Sequence, residues 1–257
     1  MLARVRRLPL IRPRSPRPGS AQADSPFASS PSHGSPRRRS GVFLATIATL
    51  LLLTSAGAAP AQARNNGYAI DVYFAAGYER QIDNRTCTAA SVAMMMNFIA
   101  RRDLRLSQMS ILRYEQPRDA LYNSVQRGSD PLGMARAATY YSSQTGRPTV
   151  YAWEAHGSAR SALRRAARQI ALSSKPVALL VTHGRHAMVM TGFTASDDPA
   201  KTDSFTLYSI WVSDPYGFSH RAYDARATPL NTYLQTDASS WYDAQWYGRY
   251  IVVVPKG

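Results

Sequence analysis

Asp83-Asn84-Arg85-Thr86-Cys87-Thr88-Ala89-Ala90-Ser91-Val92-Ala93-Met94-Met95-Met96-Asn97-Phe98-Ile99 is the stretch on which the reading of this chain turns. It opens on polar turn formers and then carries no charge until Arg101. Val92, Met95, Met96 and Ile99 recur at helical spacing, and Arg101-Arg102 suit the negative end of a helix dipole. The pattern predicts a helix over 88–102 with an apolar face, capped by Thr86 or by Cys87 itself. Cys87 falls on the first turn, where the dipole favours a thiolate. It is the one cysteine of 257 residues. That excludes an internal disulfide framework and any multi-cysteine zinc or iron–sulfur site. A lone cysteine also fits the role of a small buried apolar residue. A nucleophilic role requires a base elsewhere in the chain.

Outward from this helix the chain reads as α+β. Tyr68, Ile70, Val72 and Phe74 alternate, which predicts a first strand. Ser107 to Arg113 reads as a second short helix. Asp130-Pro131 is a helix start signal, and that helix stops at Gly146. Ser158 caps a helix over 159–173 whose arginines 160, 164, 165 and 168 form a solvated stripe. Strands then follow at 176–182, 187–193, 205–213 and 249–254, rich in β-branched and aromatic residues. A helical region followed by a strand-rich one outlines a single α+β domain over 64–257. The tail aromatics Trp241, Tyr242, Trp246 and Tyr247 read first as core and edge packing.

Five histidines are available as the base. His33 belongs to the leader, and His156 and His220 sit in polar contexts that read as loops. His183 and His186 stand at the entrance to strand 187–193. If this strand and 205–213 form an antiparallel hairpin, Phe193 lies near Phe205 and His186 lies opposite residue 212. Asp214 then comes beside His186, where a carboxylate holds the imidazole in one tautomer and stabilises its charged form. Asp214-Pro215 also reads as a plain turn initiator closing the strand. Gln81, six residues before Cys87, offers a side-chain amide that can donate to an oxyanion together with the Cys87 backbone N–H.

The set Gln81, Cys87, His186 and Asp214, in that order, resembles the papain-like cysteine peptidases. The resemblance implies a papain-like cysteine peptidase fold, with the nucleophile helix packed against an antiparallel β-sheet. Within that family the sequence is similar to the bacterial double-glycine (bacteriocin-leader), peptidase C39-like branch. The matching runs are Ser174-Lys175-Pro176-Val177, His186-Ala187-Met188-Val189-Met190-Thr191-Gly192 and Ser213-Asp214-Pro215-Tyr216-Gly217. They span about 68–220. One departure stands out: Thr88 follows the nucleophile where these groups usually have Gly or Trp. A β-branched residue there implies a narrowed cleft or a relaxed site.

The resemblance implies hydrolysis of peptide bonds in a peptide or protein substrate through a Cys87–His186–Asp214 triad and a thioester, with no metal and no cofactor. The same chemistry serves an amidase or another acyltransferase. A catalytically inactive papain-like binding module is a further alternative, supported only by Thr88.

Composition decides what partners are excluded. The formal net charge is +15, but residues 1–63 hold nine Arg, no Lys and a single acid. The remaining 194 residues carry 22 Lys+Arg and 15 Asp+Glu, a balance of +7. Much of the basicity therefore lies in the leader, and no basic patch with interleaved aromatics argues for nucleic acid. Residues 1–40 are Arg-, Pro- and Ser-rich and read as a disordered basic leader. Arg37-Arg38-Arg39, the apolar run 42–53 and Ala61-Gln62-Ala63 form the three parts of a secretory signal peptide over 41–63, with cleavage expected after Ala63. The product is expected outside the cell. The alternative is a membrane anchor over 42–59, which would be the one membrane contact of the chain.

Overall fold

The computed structural model describes residues 67–120, 128–227 and 244–256. The leader, the signal segment, Trp241 and Tyr242 lie outside the described residues. All described residues fall in one compact unit, 58–257. No helix among them is long and apolar enough to cross a membrane.

The chain runs β1 (Tyr68–Asp71), α1 (Cys87–Ala100), α2 (Gln108–Glu115), α3 (Pro131–Ser142), β2 (Tyr151–His156), α4 (Ala159–Ser173), β3 (Val177–Val181), β4 (His186–Ala195), β5 (Leu207–Asp214), β6 (Phe218–Asp224) and β7 (Tyr250–Pro255). Local chemistry sets most of the helix ends. Ser107 accepts from Ser110 N–H, Asp130 from Leu132 and Gly133 N–H, and Ser158 from Ser161 N–H. Gly146, at φ 76°, ends the turn that follows α3. The first strand is shorter than its alternation predicts. Asp71 Oδ1 accepts from Tyr73 N–H at 3.0 Å, and this local turn takes the backbone out of the ladder.

The strands form an antiparallel sheet of order β2-β7-β3-β4-β5-β6, with β1 paired to the far half of β4. Gly192 allows that pairing, because a Cβ there would stand 2.3 Å from the Ile70 carbonyl oxygen. β2 and β6 were not read from the sequence, and they place His156 and His220 on strands rather than in loops. Their burial shows why: β6 is mostly exposed and carries no apolar alternation, and β2 is only part-buried.

Two apolar layers cover the sheet. On one face Ala178, Leu180, Ala187, Val189, Ile251 and Val253 pack against α1, α2 and α3. On the other, Leu179, Met188, Met190, Val252 and Val254 pack under α4. Two expectations change here. Helix α1 has no exposed face, since every residue from Cys87 to Ile99 is buried; its freedom from charge, not its periodicity, was the informative signal. Three of the four arginines of the α4 stripe are engaged rather than solvated, while Arg160 is exposed as expected. Arg165 makes a bidentate pair with Glu154 at 2.8 Å, Arg168 pairs with Asp203, and Arg164 lies over the Phe205 ring. Trp246 is fully buried and packs edge-on against Trp153, as core.

Candidate active site

Cys87 is the first residue of α1, and Thr86 is its N-cap. Thr86 makes no capping bond with its side chain, because its hydroxyl instead donates to Asp83 O at 3.1 Å and accepts from Asp83 N–H. The first-turn N–H groups are therefore left without a side-chain acceptor, and the positive end of the helix sits at the thiol. Cys87 is nearly buried, with 8% of its surface exposed.

His186 opens β4, and its ring takes two partners. Nε2 lies 2.7 Å from Asp214 Oδ1. Cys87 is the other group acting on the ring and also raises it; with Nε2 engaged by the carboxylate, Nδ1 is the nitrogen left to face sulfur. Burial works against a charged ring, but Asp214 and Cys87 outweigh it and raise His186 to about 9. Asp214 shows the reverse balance. Burial favours its neutral form, yet His186 and the N–H groups of Tyr216 and Gly217 hold its carboxyl below the usual range. The Tyr216 N–H donates to Oδ1 at 2.8 Å, so one oxygen serves both the turn and the imidazole. Asp214-Pro215 is thus a turn initiator and a histidine partner together.

The hairpin that joins His186 to Asp214 has a different register from the expected one. Phe193 pairs with Ile210, not Phe205, and Val189 pairs with Ser213. β4 runs on to Ala195, and bulges fall between Met190 and Gly192 and between Thr194 and Ala195. Continued, this register sets Asp214 across from Met188, and the imidazole reaches it diagonally. The expected contact forms although the expected pairing does not.

Gln81 lies on the loop leading to Cys87. Its Nε2 donates to Asp83 O at 2.8 Å, the same carbonyl that accepts from Thr86, and this leaves the second amide hydrogen free of that bond. Its Oε1 is buried with no partner.

Several supporting residues were not read from the sequence. Tyr78 donates its hydroxyl to Asp214 O at 3.0 Å, and Gln81 N–H donates to Pro215 O at 2.9 Å, lacing the pre-nucleophile loop to the aspartate turn. Gln108 holds the same loop from α2, donating to Arg80 O and accepting from Ile82 N–H. Ser91, one helical turn after Cys87, donates to Ala187 O at 3.2 Å and ties α1 to the strand beside His186. Each is a polar residue in an otherwise apolar or loop context, but only folding supplies its partner.

Thr88 does not narrow a cleft. It is 2% exposed and turned inward, donating to Glu115 Oε2 at 2.8 Å. Burial pushes the Glu115 carboxyl well above the usual carboxylate range, and Asp119, Cys87 and Asp130 push the same way. No group of three or more His, Cys, Asp or Glu suited to a metal ion occurs among the described residues.

A family model described as the Peptidase_C39 like family matches residues 75–242. No curated protein matches the chain. Among solved structures, a double glycine motif protease from an AMS/PCAT transporter, determined in complex with the leader peptide, aligns at 13% identity. Its TM-score is 0.39, over 69% of this chain and 89% of that one. UfSP from C. elegans aligns at 12% identity with a TM-score of 0.47, over 75% of this chain and 35% of that one.

Proposed function

Because the chain belongs to the Peptidase_C39-like family, a papain-like cysteine peptidase family, we propose that it is an exported cysteine peptidase with Cys87 as nucleophile, His186 as base and acid, and Asp214 as the orienting carboxylate. The observation that carries this reading is the 2.7 Å contact of His186 with Asp214, with Cys87 at the uncapped start of a buried helix acting on the same ring.

The chemistry follows from the protonation order. His186, raised to about 9, is the base that takes the Cys87 proton, giving a thiolate–imidazolium pair. The thiolate attacks the carbonyl carbon of a peptide. The developing oxyanion takes hydrogen bonds from the Cys87 N–H and from the remaining Gln81 amide hydrogen. His186 then protonates the departing amine, and the acyl group stays on sulfur as a thioester. Water, deprotonated by His186, hydrolyses the thioester and restores the thiol. Asp214 keeps one tautomer and one ring orientation throughout. Export rests on the 41–63 segment, with 64–257 as the mature domain.

The test is alkylation of the purified protein with iodoacetamide across pH 4 to 9, in wild type and His186→Ala. Rapid labelling below pH 6 that vanishes in the mutant is the expected result, followed by cleavage of a peptide library that Cys87→Ala does not cleave. Labelling that rises only near the ordinary thiol value of about 8.5 and ignores the mutation refutes the assignment.

A further inference from the structure

Glu115 takes no part in the acyl-transfer steps, yet it acts on the residue that follows the nucleophile. It is the last residue of α2 and is completely buried. Its Oε2 accepts from Thr88, and its Oε1 is buried with no partner. The first turn of α1 reads Cys87-Thr88-Ala89-Ala90, so Thr88 is the one side chain besides the nucleophile that can anchor it by a hydrogen bond. The N-cap adds no side-chain bond.

Among the described residues, none supplies Glu115 with a counter-charge. Asp119 on the turn after α2, Asp130 at the start of α3 and Cys87 on α1 are the ionisable groups acting on it, and Tyr141 of α3 faces it as well. The neighbouring Arg118 is turned away, its guanidinium over the Tyr114 ring and bonded to Tyr114 O. A charge on Glu115 would be unpaired and would oppose a thiolate at Cys87.

We propose that Glu115 is a positioning residue of the nucleophile: through its hydrogen bond to Thr88 it holds the first turn of α1, and with it the direction of the Cys87 thiol and N–H. It does so as an uncharged acid, which puts a hydrogen-bond acceptor behind the nucleophile without resisting its ionisation. Thr88, the residue that departs from the family pattern, is then the other half of a built contact. The inference rests on the reading of Cys87 as the nucleophile.

The experiment compares wild type, Glu115→Gln, Thr88→Val and Thr88→Ser by iodoacetamide labelling from pH 4 to 9 and by amide exchange at Ala90 and Ser91. Glu115→Gln keeps an acceptor oxygen and is expected to label within about twofold of wild type at an unchanged midpoint. It also removes the infrared band of a protonated carboxylic acid. Thr88→Val loses the bond and is expected to label about tenfold more slowly with faster exchange, and Thr88→Ser restores both. Thr88→Val labelling and exchanging like wild type overturns the positioning role. A Glu115→Gln midpoint displaced to lower pH overturns the uncharged state. If wild type itself labels as an ordinary thiol, insensitive to His186→Ala, the peptidase reading fails, while the exchange comparison still decides whether Glu115 holds the turn.

Discussion

Replacing Asp214 separates the two things its carboxylate does for His186. Asp214→Asn keeps an oxygen where Oδ1 now meets Nε2 at 2.7 Å and the Tyr216 N–H at 2.8 Å, so ring orientation survives while the charge is lost. Asp214→Ala removes both. His186 stands at about 9 against an ordinary 6.5, a difference worth roughly 3 kcal/mol for the charged ring. Burial opposes that lift, and Asp214 and Cys87 produce it together. If Asp214 supplies about half, its charge is worth roughly 1.5 kcal/mol, or about one pH unit. The alkaline limb of peptide hydrolysis is therefore expected to move from about 9 to about 8 in Asp214→Asn, with little loss of maximal rate. In Asp214→Ala the limb falls further, and the maximal rate drops by about 10²-fold because the ring is no longer aimed. Stability follows the same sign. The share contributed by a raised histidine is complete below pH 6.5 and is lost as pH rises through about 9, while that of the lowered Asp214 is lost only in strong acid, so wild type and Asp214→Asn should differ most in mild acid and converge in alkali. An alkaline limb that stays in place in both variants refutes the reasoning, since it would show that the titrating group is not the ring held by Asp214.

Three other perturbations test the scaffold around the site. Gly133→Ala, which would ordinarily strengthen a helix, places a Cβ 2.0 Å from Asp119 Oδ1 and 2.9 Å from the Glu115 carbonyl oxygen; a loss of about 3 kcal/mol in urea unfolding is expected. Asp119, buried beside Asp130, is raised to about 8 by that burial and by its neighbour, so folding holds a proton that the unfolded chain releases. Wild-type stability should fall as pH rises from about 4 to 8, by up to roughly 1.4 kcal/mol per pH unit, and Asp119→Asn should flatten that slope in melts taken across the range. Ser91→Ala removes the bond to Ala187 O and is expected to cost about 1 kcal/mol; a parallel fall in Cys87 labelling rate would show that this link keeps thiol and imidazole in contact.

The sequence by itself determined what local chemistry controls. The stops and caps at Ser107, Asp130, Ser158 and Gly146, the uncharged helix behind Cys87 and the apolar strands 3, 4, 5 and 7 were all legible, because each depends on residues within a turn or two. The order Gln81, Cys87, His186, Asp214 pointed to the family and to the α+β class. Tertiary structure alone decided the rest. The β4–β5 register differs from the simple hairpin because bulges add residues that no pattern announces. Strands β2 and β6 pass unnoticed where little of their surface is buried. Thr88 reads as an intrusion into a cleft until folding brings Glu115, 27 residues away, against its hydroxyl. Such contacts form between residues far apart in the chain, and the free energy that selects them comes from burial: a polar group taken out of water must find its partner wherever the packed core provides one.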